Sequence, residues 1–110
     1  MAEFDHTLID DVIHSRLRLA IMAVLASVDR AEFSFLRRQV NATDGNLGAH
    51  LRKLEEAGYI RTDKQFVDRK PRTDCYLTDI GRSAFRNYVE RLGSLVQVAK
   101  VNSPNKKKQE

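Results

Sequence analysis

Thr43-Asp44-Gly45-Asn46-Leu47-Gly48-Ala49-His50-Leu51-Arg52-Lys53-Leu54-Glu55-Glu56-Ala57-Gly58 is the stretch on which the fold turns. Leu47, Leu51 and Leu54 recur at helical spacing and define one buried stripe. Thr43 is the predicted N-cap, Asp44 suits the positive start of the helix, and Gly58 is the predicted stop. At about 100° per residue, Gly45, Asn46, Ala49, Arg52, Lys53 and Glu56 fall away from the leucines, with Gly48 and His50 on the flanks. Small residues mixed with an amide and two cations suit a face that closely approaches a polar partner.

Working outward, the period changes after Gly58. Tyr59 to Val67 interleaves aromatic and β-branched residues with polar ones and predicts a strand. Asp68 to Arg72 reads as a polar turn and Thr73 to Thr78 as the returning strand. Pro71 cannot donate to a ladder and belongs at the tip or edge. Thr78 is the expected cap of a long final helix, in which Phe85, Tyr88, Leu92, Leu95 and Ala99 follow spacings of 3, 4, 3 and 4. Upstream, Ser34 is a candidate cap for a short helix through Phe35, Leu36 and Val40. Ser15 is another, for a core helix over residues 16–27 carrying Leu17, Ile21, Val24 and Leu25. Phe4, Leu8, Ile9, Val12 and Ile13 predict a short amphipathic helix at the N-terminus.

The chain has 110 residues, of which 42% are hydrophobic and 31% charged, enough for one modest core. No apolar run approaches the roughly 20 residues of a membrane span. Acidic residues near Met1 argue against a signal peptide, so a cytoplasmic location is expected. Nineteen Lys and Arg against fifteen Asp and Glu leave a net charge of +4, concentrated between Arg52 and Arg72 and in the Lys106-Lys107-Lys108 tail. A local positive field attracts polyanions.

Two helices joined by a short turn and followed by a charged hairpin describe a winged helix-turn-helix, which sets its second helix in the DNA major groove. Asn46 can read adenine through two hydrogen bonds, Arg52 suits guanine or phosphate, and Lys53 suits phosphate. Free N–H groups at the helix start and the Thr43 hydroxyl can hold a phosphate. Arg69, Lys70 and Arg72 on the wing suit the minor groove or its flanking phosphates. The runner-up is a winged helix that binds protein without specific DNA recognition. RNA is disfavoured because its A-form major groove excludes a helix.

Other chemistries lack their residues. Cys75 is the one cysteine, and His6, His14 and His50 lie far apart in sequence, so no metal and no cofactor is expected. No serine or cysteine sits in a nucleophile elbow. Asp10 and Asp11 are adjacent and do not face each other on a helix. Cys75 alternates with Leu77, as a small buried strand residue would.

The run from Asn41 to Ile60 resembles the recognition helix and following strand of ArsR/MarR-type winged-helix regulators. More narrowly, it is similar to a small stand-alone winged-helix group with the pattern TDGNLSxHLRKLEEAGY. The likeness continues through Phe66-Val67-Asp68-Arg69-Lys70-Pro71-Arg72-Thr73, Tyr76-Leu77-Thr78 and Gly81. It also takes in His14-Ser15-Arg16-Leu17-Arg18, and it spans roughly Leu8 to Leu95. Gly48 replaces the group's usual serine, and Arg16 its usual proline. The resemblance implies a DNA-binding transcriptional regulator, with repression the commoner outcome, and no enzyme. Thr43, Asp44, Gly45, Asn46, Gly48, Ala49, His50, Arg52 and Lys53 form the expected recognition surface.

The expected architecture is mainly α with a small β-hairpin: a three-helix core plus wing at 15–78, between an N-terminal helix at 1–14 and a C-terminal helix at 79–101. A disordered basic tail is expected at 102–110. Both outer helices are expected to mediate a homodimer through Phe4, Leu8, Val12, Phe85, Tyr88, Leu92, Leu95 and Val96. Such a dimer presents two recognition helices roughly 34 Å apart to an inverted repeat. With no separate effector domain expected, any signal would enter at that interface or through a partner.

Overall fold

A three-stranded antiparallel sheet holds four helices together in the computed structural model, which describes residues 4–101. Helix α1 (Arg16–Ala26) begins at Ser15, whose hydroxyl accepts from the Arg18 N–H, and buries Ile21, Met22 and Leu25. The chain then forms β1 (Ala31–Glu32) and runs straight into α2 (Phe33–Gln39). The expected cap Ser34 therefore lies inside the helix. Glu32, the last residue of the strand, takes the cap position without a side-chain bond, because the strand already sets the extended backbone there. A two-residue strand has too little alternation to be legible in sequence.

Helix α3 (Asp44–Glu56) starts at Thr43, whose hydroxyl accepts from the Asn46 N–H at 3.1 Å. It ends in a paired turn: Tyr59 N–H donates to the Leu54 carbonyl and Gly58 N–H to that of Glu55. Gly58 has φ +81°, which a Cβ would strain.

Strands β2 (Ile60–Val67) and β3 (Lys70–Leu77) form the wing. The expected five-residue turn shrinks to Asp68 and Arg69, both left-handed at φ 53° and 67°, the geometry whose twist matches a two-residue hairpin. Lys70, Pro71 and Arg72 thus belong to β3, the middle strand. Proline is tolerated there because β1 pairs only with Cys75 and Asp74, leaving β3 open on that side at Pro71.

Helix α4 (Asp79–Val101) is capped by Thr78, which accepts from Gly81 N–H at 2.9 Å and donates to the Gly58 carbonyl at 2.6 Å. The end of α3 and the start of α4 are thereby fastened together. The core unites Ile13, Ile21, Leu25, Leu36, Leu47, Leu54, Ile60 and Cys75.

The expected N-terminal α-helix is a correction. His6–Leu8 is one turn of 3-10 helix, and residues 11–13 form a separate turn. The Asp5 carboxylate accepts from Thr7 N–H, and that of Asp10 accepts from Val12 and Ile13 N–H groups. These side chains satisfy the amides locally and so compete with a continuous helix. The expected tail at 102–110 lies outside the described residues.

Candidate nucleic-acid interface

The face of α3 opposite its leucines is open. Leu47, Leu51 and Leu54 are buried, whereas Asp44, Gly45, Asn46, Ala49, Arg52 and Lys53 are exposed. Gly48 is half-buried, and a Cβ built on Gly45 or Gly48 meets nothing within 4 Å. Packing among the described residues therefore does not require glycine at either position.

Asp44 is not an isolated charge at the helix start. Its carboxylate lies 3.1 Å from the Arg37 guanidinium of α2, so the acid at the helix start is matched by a cation that sequence reasoning gave no role. His50 faces α1 instead of outward. Its Nδ1 accepts from Arg18 at 2.9 Å, while Arg18 Nε donates to the Val12 carbonyl. Burial, followed by the charges of Arg18 and Lys53, lowers the pKa of His50, which favours the neutral ring. A neutral imidazole that accepts from Arg18 is a positioning contact. Arg18 thereby ties the N-terminal turn to α3, a link that helical periodicity does not reveal.

On the wing, Arg69 and Lys70 are exposed at the tip. Arg72 is tethered: its Nε donates to Asp74 at 3.1 Å. Asp74 is buried and also accepts from Gln65. Arg30 lies 2.8 Å from Asp63 and 3.9 Å from Asp74, with its guanidinium 4.7 Å from the centre of the Tyr76 ring. This clamp also escaped sequence reasoning, since Arg30 stands in a loop with no motif.

The residues expected at a dimer contact divide. Tyr88 is buried in its own chain, its hydroxyl 2.9 Å from His14 Nδ1, so it presents no surface to a second copy. Val12, Phe85 and Leu92 pack partly against the same core. Phe4 is half-buried. Leu8, Leu95 and Val96 are exposed, and so is Val89, which the heptad pattern omitted because it lies beside the seam.

Cys75 is fully buried, and burial, with Glu55 and Asp74 adding to it, pushes its thiol up to about 11. That opposes thiolate formation. Among the described residues, no three His, Cys, Asp or Glu side chains are grouped so as to hold a metal. No helix among them is long and apolar enough to cross a membrane.

A three-helix core, a small sheet with a two-stranded wing, and an open polar helix face define a winged helix-turn-helix protein. The sequence pattern of the winged helix DNA-binding domain matches residues 17–96, and the chain belongs to that family. It is 40% identical over 78 residues to an uncharacterised protein of Methanocaldococcus jannaschii, covering 71% of this chain and 85% of the relative. A transcriptional regulator homologue from Pyrococcus horikoshii OT3 superposes with a TM-score of 0.75 at 32% identity, covering 79% of this chain and 86% of the other. A PadR-family transcriptional regulator from Eggerthella lenta shares the fold at 23% identity and a TM-score of 0.66, over 82% of this chain and 87% of that one. The chain is thus a member of the winged helix DNA-binding domain family, and it shares its fold with transcriptional regulators.

Proposed function

We propose that the protein is a sequence-specific, double-stranded DNA-binding transcriptional regulator that acts as a homodimer on an inverted repeat, in the cytoplasm, and represses by occluding a promoter. The observation that carries this reading is the exposed face of α3. It joins small residues at Gly45 and Ala49 with Asn46, Arg52 and Lys53, and nothing among the described residues requires glycine at 45 or 48. The helix enters the major groove, Asn46 and Arg52 read base edges, and Lys53 and the Thr43 end of the helix hold phosphates. Asp44 is balanced by Arg37, which lowers its repulsion of the backbone. Arg69 and Lys70 meet the minor groove, and Arg72 supports the wing through Asp74.

The dimer is supported by the exposed Leu8, Val89, Leu95 and Val96, not by Tyr88. Sedimentation at micromolar concentration tests it: a dimer is expected, and Leu95→Glu with Val96→Glu is expected to yield a folded monomer. A wild-type monomer would refute the inverted-repeat reading.

Binding to a random duplex pool at rising salt tests the DNA reading. Affinity is expected to fall steeply as counterion release weakens. Arg52→Ala is expected to cost roughly 1–3 kcal/mol of binding and to relax base preference at one position. Unchanged affinity in a folded Arg52→Ala protein would overturn the contact assignment.

A further inference from the structure

Phe66 is the most exposed large apolar side chain among the described residues, at 76%, although it sits in a strand. Side chains alternate across β2, which puts Phe66 on the sheet face of Ile60, Thr62 and Lys64. Register places Leu77, Cys75, Thr73 and Pro71 opposite these four residues in turn. At the base of the hairpin this face is core, with Ile60, Cys75 and Leu77 buried. At its tip the same face is uncovered, and Phe66 and Pro71 stand directly across from each other, both exposed.

The charge around this apolar pair is one-sided. From residue 64 to residue 72 the hairpin carries Lys64, Arg69, Lys70 and Arg72 against a single carboxylate, Asp68. All four cations are exposed: Lys64 shares the face of Phe66, Arg69 stands in the turn, and Lys70 and Arg72 lie on the opposite face, where Arg72 leans on Asp74. An apolar ring flanked by Lys64 and by the cations of the hairpin tip matches a polyanion whose interior is apolar. The DNA minor groove, with phosphates flanking stacked bases and sugars, has that character. Pro71 adds stiffness beneath the ring, since its φ is locked. The Arg30 clamp holds the outer face of the same hairpin.

Building on the DNA-binding reading above, we propose that Phe66, backed by Pro71, is an apolar wedge that the wing inserts at a base step of the minor groove, bending the duplex. Arg69 and Lys70 hold the flanking phosphates. Unstacking one step is costly, and burying the exposed ring while nearby cations meet the phosphates offsets that cost. The wing then selects deformable steps, so Phe66 contributes to specificity without a hydrogen bond to any base.

The test uses full-length protein and a duplex of about 30 base pairs, enriched by the wild-type protein from a random pool and carrying a fluorescent dye at each end. Wild-type protein is expected to bend it, seen as increased energy transfer. Phe66→Ala is expected to lower affinity roughly tenfold and abolish the bend, while the salt dependence stays as in wild type because no charge is lost. Phe66→Leu, which retains an apolar wedge, is expected to keep most of the bend. Arg69→Ala with Lys70→Ala is expected instead to flatten the salt dependence. At 76% exposure Phe66 is not core, and unchanged thermal unfolding verifies the fold of the variant. If wild type binds and Phe66→Ala binds and bends equally well, the wedge is refuted and the DNA reading stands. If Phe66→Ala instead dissociates the dimer, the residue serves a second copy and the wedge is refuted. If wild-type protein fails to bind duplex DNA at any salt, both readings fall.

Discussion

Asp63 of β2 and Asp74 of β3 lie directly opposite each other in the wing, two carboxylates at one cross-strand position. Like charges so placed repel. Arg30 resolves the conflict from outside the hairpin, 2.8 Å from Asp63 and 3.9 Å from Asp74, while Arg72 reaches Asp74 from the same strand. The loop after α1 thereby sets the posture of the wing. These groups are largely exposed except for Asp74, so the ion pairs add little to global stability and act chiefly on local order.

Arg30→Ala is accordingly expected to leave the thermal midpoint nearly unchanged and to speed amide hydrogen exchange in β2 and β3 by roughly severalfold. Adding Asp63→Asn should restore much of the protection by removing the repulsion. Equal exchange rates in wild type and Arg30→Ala would show that the wing is held by its backbone ladder alone.

Thr43 caps α3 through a single hydroxyl bond to Asn46 N–H. Thr43→Ala is expected to destabilise the fold by about 1 kcal/mol, and Thr43→Ser by a few tenths at most. Urea titration measures both. A neutral Thr43→Ala would mean that water caps the helix equally well.

Gly81 is required by packing, not by φ. A Cβ there would stand 1.9 Å from the Tyr59 carbonyl oxygen, an impossible approach to backbone. Gly81→Ala is expected to cost about 3 kcal/mol, because either α4 or the end of α3 must move. Gly45→Ala, with open space around it, is expected to be tolerated or mildly stabilising. Calorimetry of the pair separates the two roles of glycine.

Alkali is expected to lower the stability of the fold. Burial raises the Cys75 thiol from 9.0 to about 11, and burial with the Asp10 hydrogen bond raises the Tyr59 phenol from 10.0 to about 12. Both groups are neutral when protonated, and the unfolded chain loses these protons first. The stability they confer is complete below pH 9 and declines as pH rises, through about 11 for Cys75 and about 12 for Tyr59. Cys75→Ala is expected to flatten the decline between pH 9 and 11 in denaturant titrations. An unchanged slope would exclude the thiol as a cause.

Much of the fold is local in origin and therefore legible. The Leu47, Leu51 and Leu54 stripe, the caps at Ser15, Thr43 and Thr78, and the Gly58 stop depend on residues within a few positions of one another. Linear order suffices for such interactions, and the winged helix-turn-helix follows from them. The open face from Gly45 to Lys53 is the complement of that stripe, which is why periodicity located it.

Tertiary structure alone decided the rest. Tyr88 belongs to its own core because His14 meets it from 74 positions away, whereas a heptad pattern cannot say whether its seam faces a second copy or the same chain. His50 turned inward because Arg18 awaits it, and Arg72 bends to an Asp74 that Arg30 also approaches. Phe66 looked like any alternating strand residue, yet the helices cover its sheet face only near the base of the hairpin. Side-chain alternation assigns a residue to a face, but only the packing of distant segments determines whether that face is covered.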